Sequence, residues 1–260
     1  MSDNNNTTTK VDVLILAGAN ADGFAGEESL SSRAMIKVAD KTMLQMVVDA
    51  FGGSENIQKI FVVGNVYADG VDEILTPQNS LIENIVYGIE TLDTSNKVLI
   101  STSDIPLLTT KAVDDFISKS VPLDCDLVFP VIPKTYCQGA YPNLKRTYVK
   151  TSEGIFTGGN IMLVNPWFIC KNSKIISDAY NARKHVTALA RMIGMGVLVR
   201  MIFSQIFPKL LSLSLIEEKV SNILSAKAKT IVSAYPEIGE DIDKQSDLEE
   251  VRRILASAGN

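Results

Sequence analysis

Residues 11–17 read VDVLILA, a short and nearly continuous apolar run. Such a run suits a strand buried on both faces of a parallel sheet. Two more follow, KIFVVG at 59–64 and KVLIS at 97–101. Between the runs, apolar residues recur every three or four positions. Residues 43–51 place Met43, Leu44, Val47, Val48 and Phe51 on one helical face. Residues 80–92 do the same with Leu81, Ile82, Ile85, Ile89 and Leu92, and Ser80 can cap their start. Residues 109–119 form a third helix, striped by Val113, Phe116 and Ile117 after threonine capping options. DLVFPVI at 126–132 is a fourth strand, with Pro130 hinting at an edge or a bulge. Strand and helix alternating through short links predict a three-layer αβα, Rossmann-like α/β fold with a mostly parallel sheet.

The second half changes character. FTGGNIMLV at 156–164 reads as one strand entered through a double glycine. Residues 166–224 read as mostly helical, followed by a strand near 230–234 and a helix at 246–256. Residues 193–216 are largely apolar, but Arg200, Pro208 and Lys209 lie inside them. A charge at mid-bilayer costs roughly 2.5–3.5 kcal/mol even on the lenient insertion scale. Two or three amphipathic helices packed on the sheet are therefore expected rather than a membrane span. The Asn- and Thr-rich residues 1–10 lack a signal-peptide pattern and are expected to be a disordered tail. The expected organisation is one domain over 11–260 with a helical insertion at about 166–228.

The 260 residues are 46% hydrophobic and 21% charged, an ordinary globular balance. Lys and Arg number 25 against 30 Asp and Glu, a net charge of −5. A chain that coats nucleic acid needs the opposite sign on its docking face, so that class is excluded. The three cysteines, Cys125, Cys137 and Cys170, show no zinc or redox spacing. They are expected to be free thiols in a reducing cytoplasm. Charge is uneven: residues 166–230 carry +7, leaving −12 on the rest. That basic, apolar layer could lie on an anionic membrane, cover a phosphorylated substrate, form a dimer face or be a solvated surface.

Ligands of open parallel sheets bind beyond the carboxyl ends of the strands. The first strand runs into Leu16, Ala17, Gly18 and Ala19, small residues that let backbone N–H groups approach a phosphate or base. The third runs into Ser101-Thr102-Ser103-Asp104-Ile105-Pro106. Asp104 is placed to bind a hard cation, or simply to cap the turn. Asp241 and Asp243 precede the last helix, and Asp243 could be a second ligand. Carboxylates from distant segments, with phosphate oxygens, are the usual cage of Mg²⁺.

LILAG at 14–18, RAMIKVADKTML at 33–44, TSDIPLLT at 102–109 and DIDKQSDL at 241–248 occur in an order that resembles the MobA-like NTP transferases. The resemblance implies a GT-A-like variant of the fold and a nucleotidyltransferase. An NMP would pass from an NTP, CTP or GTP, to a small phosphorylated acceptor, with release of pyrophosphate. It implies that Leu16–Ala19 hold the base and phosphates. Gln78, Asn79, Ser80 and Asn84 would help read the base. The Thr157-Gly158-Gly159-Asn160 turn would face the acceptor, and Asp104 and Asp243 would bind Mg²⁺. Arg33 stands where the family usually carries lysine and would steady the transition state or the leaving pyrophosphate. An anionic acceptor needs no general base, which suits a chain with one histidine. Asp22, Glu27 and Glu28 in the first loop would repel a triphosphate unless they point away.

Arg183 and Lys184 are candidates for an acceptor phosphate, and His185 is a weaker candidate for a base. Trp167 is expected in the core or an interface, and Met35, Met43 and Met46 as core fillers. Two rival readings remain: a glycosyltransferase using a nucleotide sugar, and a non-catalytic nucleotide-binding protein on a degenerate transferase scaffold.

Overall fold

The computed structural model describes residues 10–27, 29–182 and 194–258. The expectations for residues 1–9, Glu28, Arg183, Lys184 and His185 lie outside the described residues.

Strand β1 (Val11–Leu16) leads through a long loop to α1 (Met43–Gly52), then β2 (Ile57–Val63) and β3 (Glu73–Leu75). Helix α2 (Leu81–Leu92), strand β4 (Val98–Thr102) and helix α3 (Thr110–Ser120) follow. Next come β5 (Leu127–Pro133), α4 (Lys134–Ala140), β6 (Val149–Thr151), β7 (Gly154–Gly158) and β8 (Ile161–Val164). The last part holds α5 (Pro166–Ala182), α6 (Met195–Ser204), α7 (Leu213–Leu224), β9 (Ala228–Val232) and α8 (Gln245–Ala258).

The nine strands of the described residues form one sheet, with neighbours in the order β3-β2-β1-β4-β8-β5-β7-β6 and β9 beside β5. Pairs β1–β2, β1–β4, β2–β3 and β5–β9 are parallel, whereas β8 runs against β4 and β5, and β7 against β5 and β6. Alternation along β1 sends Val11, Val13 and Ile15 to a core under α1 and α3. Leu14 goes to a second core under α2 and α5. Helix starts follow the capping chemistry: Thr42, Ser80 and Thr109 each accept a backbone N–H from the first turn of α1, α2 and α3. A third cluster packs α8, through Leu248 and Val251, against Phe24, Ile36, Val38 and Met43 of the first loop and its sequel. Met35 and Met46 are half-buried against these cores.

The strand expected over 156–164 is interrupted. Strand β9 fills one side of β5 along 127–131, so β7 and β8 share the other. Val128 pairs with Leu163, but Val131 pairs with Gly158, so two extra residues sit in the partner. Gly159 occupies this bulge because a Cβ there would lie 2.7 Å from Ile238 and 2.8 Å from Pro130. The bulge turns Asn160 toward the end of β4, where its carbonyl accepts from Thr102 N at 3.1 Å.

Trp167 is not core: it is 63% exposed, with Lys171 Nζ 4.4 Å from its ring centre. Among the described residues no helix is long and apolar enough to cross a membrane. The apolar stretch at 193–216 is broken after Ser204 and again around Pro208.

A close approach fixes the carboxyl ends of β1 and β2. Ala17 N donates to Val63 O at 2.8 Å, and a Cβ on Gly64 would lie 2.7 Å from Ala17 O. Backbone cannot yield as a side-chain tip can. Gly64→Ala should therefore cost about 1–3 kcal/mol in urea unfolding. A neutral substitution would show that the strand ends spread freely.

Candidate nucleotide and metal site

The end of β1 and the segment around Ser32 form one wall. Ser32 Oγ donates to Ala17 O at 2.6 Å, and Arg33 N donates to Ala19 O at 2.9 Å. These bonds tie both ends of the loop together, and buried Phe24 anchors its middle. Glu27 turns away from the site toward Arg252, 3.2 Å distant. Asp22 is exposed and accepts from Asn20 Nδ2 at 3.2 Å.

Helix α2 supplies the opposite wall. Ser80 Oγ accepts from Glu83 N at 3.2 Å, and Glu83 Oε2 accepts from Asn79 N at 3.2 Å, a reciprocal cap. One turn on, buried Asn84 accepts from Gln78 N at 2.5 Å. Between the walls lies a cavity of about 670 Å³. Leu16, Gly18, Ala19, Gln78, Asn79, Ser80 and Asn84 line it, with Arg33, Asp104, Asn160 and Asp243. Ala17, Gly158 and Gly159 do not. Ala17 is wholly buried between β1 and β2, Gly158 faces Phe129, and Gly159 fills the bulge.

The floor is acidic. Asp104, Asp241 and Asp243 each bring an oxygen within 4.8 Å of the others. Asp104 ends the turn after β4, and its carbonyl accepts from Ile242 N at 2.9 Å, which fastens the C-terminal acidic loop to that strand. Arg33 pairs with the Asp104 carboxylate and stands 3.6 Å from Asp243. It is the one cation lining the cavity among the described residues. Asp241 accepts from Arg146 NH1 at 2.6 Å and Asn160 Nδ2 at 3.3 Å. Burial pushes Asp241 up to about 6, with the charges of Asp104 and Asp243 adding to the rise and Arg146 opposing it. Arg146 also bonds the buried Glu240 through Nε at 2.8 Å, and burial raises that carboxyl too.

Asp241, Thr102 and Arg146 escape the sequence reading of the site. Asp241 carries a usable signal, since Asp-Ile-Asp in an extended loop sends both acids one way and Ile242 into the core. Arg146 carries none, lying in a loop about a hundred residues from its partners. All three cysteines are free, and burial pushes the Cys137 thiol up to about 11, so it stays protonated.

A carboxylate just after the central strand β4, joined by two more from the loop fastened to it, beside a polar cavity walled by small residues and a helix start, defines a nucleotide-handling transferase. A model of the MobA-like NTP transferase domain matches residues 13–230. The chain belongs to that family. A structure described as a hypothetical transferase from Thermus thermophilus is 30% identical, with a TM-score of 0.82 over 92% of this chain and 99% of that one. CMP:2-keto-3-deoxy-manno-octonic acid synthetase complexed with CTP is 12% identical, with a TM-score of 0.56 over 96% of this chain and 99% of that one. The 2-C-methyl-D-erythritol 4-phosphate cytidylyltransferase of Thermus thermophilus is 13% identical, with a TM-score of 0.54 over 95% of this chain and 99% of that one. The last two share the fold alone. A search of curated proteins gave no match.

Proposed function

We propose that the protein is a Mg²⁺-dependent nucleotidyltransferase that moves an NMP from an NTP to a small phosphorylated acceptor and releases pyrophosphate. The observation that carries this reading is the convergence of Asp104 with Asp241 and Asp243 on the floor of the cavity. The donor set fits a hard cation. Among the described residues, Asp104 Oδ1 and Thr102 Oγ1 are buried without a hydrogen-bond partner, beside carboxylates whose side-chain donors are Arg33, Arg146 and Asn160. When bound there, Mg²⁺ would neutralise charge developing on the phosphates.

The protein's own groups do the positioning. The Gly18–Ala19 backbone and the start of α2 bracket the nucleotide, with the Asn84 amide facing its base. Arg33 presents a guanidinium to the triphosphate, a geometry that lysine would not reproduce. Asn160 holds the acceptor side of the cavity, and no side chain need take a proton from an acceptor that is already an anion. CTP is the donor to assay first, since two structures with this fold are named for cytidylyl chemistry or hold CTP, and GTP is the second.

Ligand that binds only the native state raises its melting temperature by mass action. An NTP with Mg²⁺ should give a larger shift than either alone, and pyrophosphate release should then identify the acceptor. A shift with a nucleotide sugar and none with any NTP would instead make the protein a glycosyltransferase.

A further inference from the structure

Residues 179–216 contain five Lys or Arg and no acid, although the chain as a whole is −5. Within that stretch, α6 and the turn after it expose Val199, Ile202, Phe203, Ile206, Phe207 and Leu210, with Ile206 71% and Phe207 59% accessible. Steps of three and four residues make this one stripe. The stripe continues past Ser204 because Phe207 N donates to Phe203 O at 2.8 Å and Leu210 N to Phe207 O at 3.1 Å.

The opposite side of the element is already used. Leu211 is wholly buried, its carbonyl accepting from Ser152 N at 2.8 Å, and Lys150 Nζ donates to Gln205 O at 2.7 Å. Val197 helps roof an apolar cavity of about 340 Å³ against Phe129 and Phe156. The element is thus fastened to the sheet through one apolar side and holds a second apolar side outward. A monomeric soluble protein rarely leaves such a contiguous patch uncovered.

We propose that this stripe docks on an anionic lipid bilayer, with Ile202, Phe203, Ile206 and Phe207 at the acyl boundary and the exposed Arg200 and Lys209 among the headgroups. Charge selects the occupant. A second copy placed on the stripe by a two-fold axis would set Arg200 and Lys209 against their own kind, with no acid on the element to offset them. Anionic headgroups neutralise them. Helix α6 has ten residues, so the contact is interfacial and does not span the membrane. The inference stands apart from the transfer reading, because it requires neither nucleotide nor metal.

The test is sedimentation of the full chain with phosphatidylcholine vesicles, with and without about one-third phosphatidylglycerol. The protein should pellet with the anionic vesicles, bind the neutral ones roughly tenfold less, and come off as salt rises. Phe203→Ser with Phe207→Ser should abolish binding without lowering the melting temperature, because both side chains are exposed. Arg200→Glu with Lys209→Glu should erase the preference for anionic vesicles. Failure to pellet at low salt would overturn the proposal, as would binding that survives the paired Phe substitutions. A dimer in sedimentation equilibrium that those substitutions dissolve, with no vesicle binding, would make the stripe a protein interface instead.

Discussion

Asp104→Asn should leave a folded protein whose response to NTP no longer depends on Mg²⁺, with pyrophosphate release slower by about a thousandfold or more. The substitution keeps the size of the side chain and an oxygen for Arg33. It removes the charge from the best-buried of the three carboxylates, the one whose Oδ1 has no hydrogen-bond partner among the described residues. Asp241 is held in its own position by Arg146 and Asn160 through Oδ1, so it does not shift into the place of Asp104. Asp243 is the most exposed of the three and is held only loosely by Arg33. Differential scanning fluorimetry with and without Mg²⁺ reads the first effect, and a coupled pyrophosphate assay reads the second. A metal-dependent shift of unchanged size would reduce Asp104 to a turn residue that happens to pair with Arg33.

The second large effect is on stability. Arg146→Met should destabilise the fold by about 3–5 kcal/mol, because it strands the Glu240 carboxylate where water does not reach and leaves Asp241, on the cavity floor, without its cation. The Arg146 side chain is 8% exposed and that of Glu240 is wholly buried, so solvent cannot stand in for the guanidinium. For a chain of this size the loss lowers the melting temperature by roughly 6–20 °C. Adding Glu240→Gln removes one of the stranded charges and should recover part of the loss. A single substitution costing under about 1 kcal/mol would mean that Glu240 is already protonated in the native state, which is the direction in which burial pushes it. The same variant should weaken the response to Mg²⁺ and NTP, because Asp241 loses the group that holds its orientation.

The layers of the fold are readable because period and capping agree. Residues 80–92 repeat apolar positions at helical spacing and begin with serine, and the helix starts at Leu81 behind that cap. Helix α3 starts one residue after Thr109 for the same reason. The short elements are not readable. Strand β3 is three residues long and exists through its pairing with β2. Helix α4 buries only Cys137 and therefore shows no stripe. The bulge at Gly159 and Asn160 follows from how tightly Ile238 and Pro130 crowd the chain, and local sequence does not record that crowding.

The candidate site divides along the same line. Asp104 follows a buried apolar run, so its place at a strand end can be read directly. The pairing of Glu27 with Arg252 joins opposite ends of the chain, and no local pattern reveals that this loop acid faces away from the cavity. Trp167 departs from the core half of its expectation, because a lone tryptophan suggests burial. Here it starts a helix at the surface and carries Lys171 over its ring.

The backbone bond between Ile242 and Asp104 has a consequence for biosynthesis. Asp104 leaves the ribosome well over a hundred residues ahead of Asp241 and Asp243. A nascent chain can lay down β1, β2 and β4 early, yet it holds one of the three carboxylates until the segment after β9 has been made. The proposed metal site is thereby incomplete in any nascent chain that stops short of the segment after β9, and competence to hold a cation there arrives only with Asp241 and Asp243.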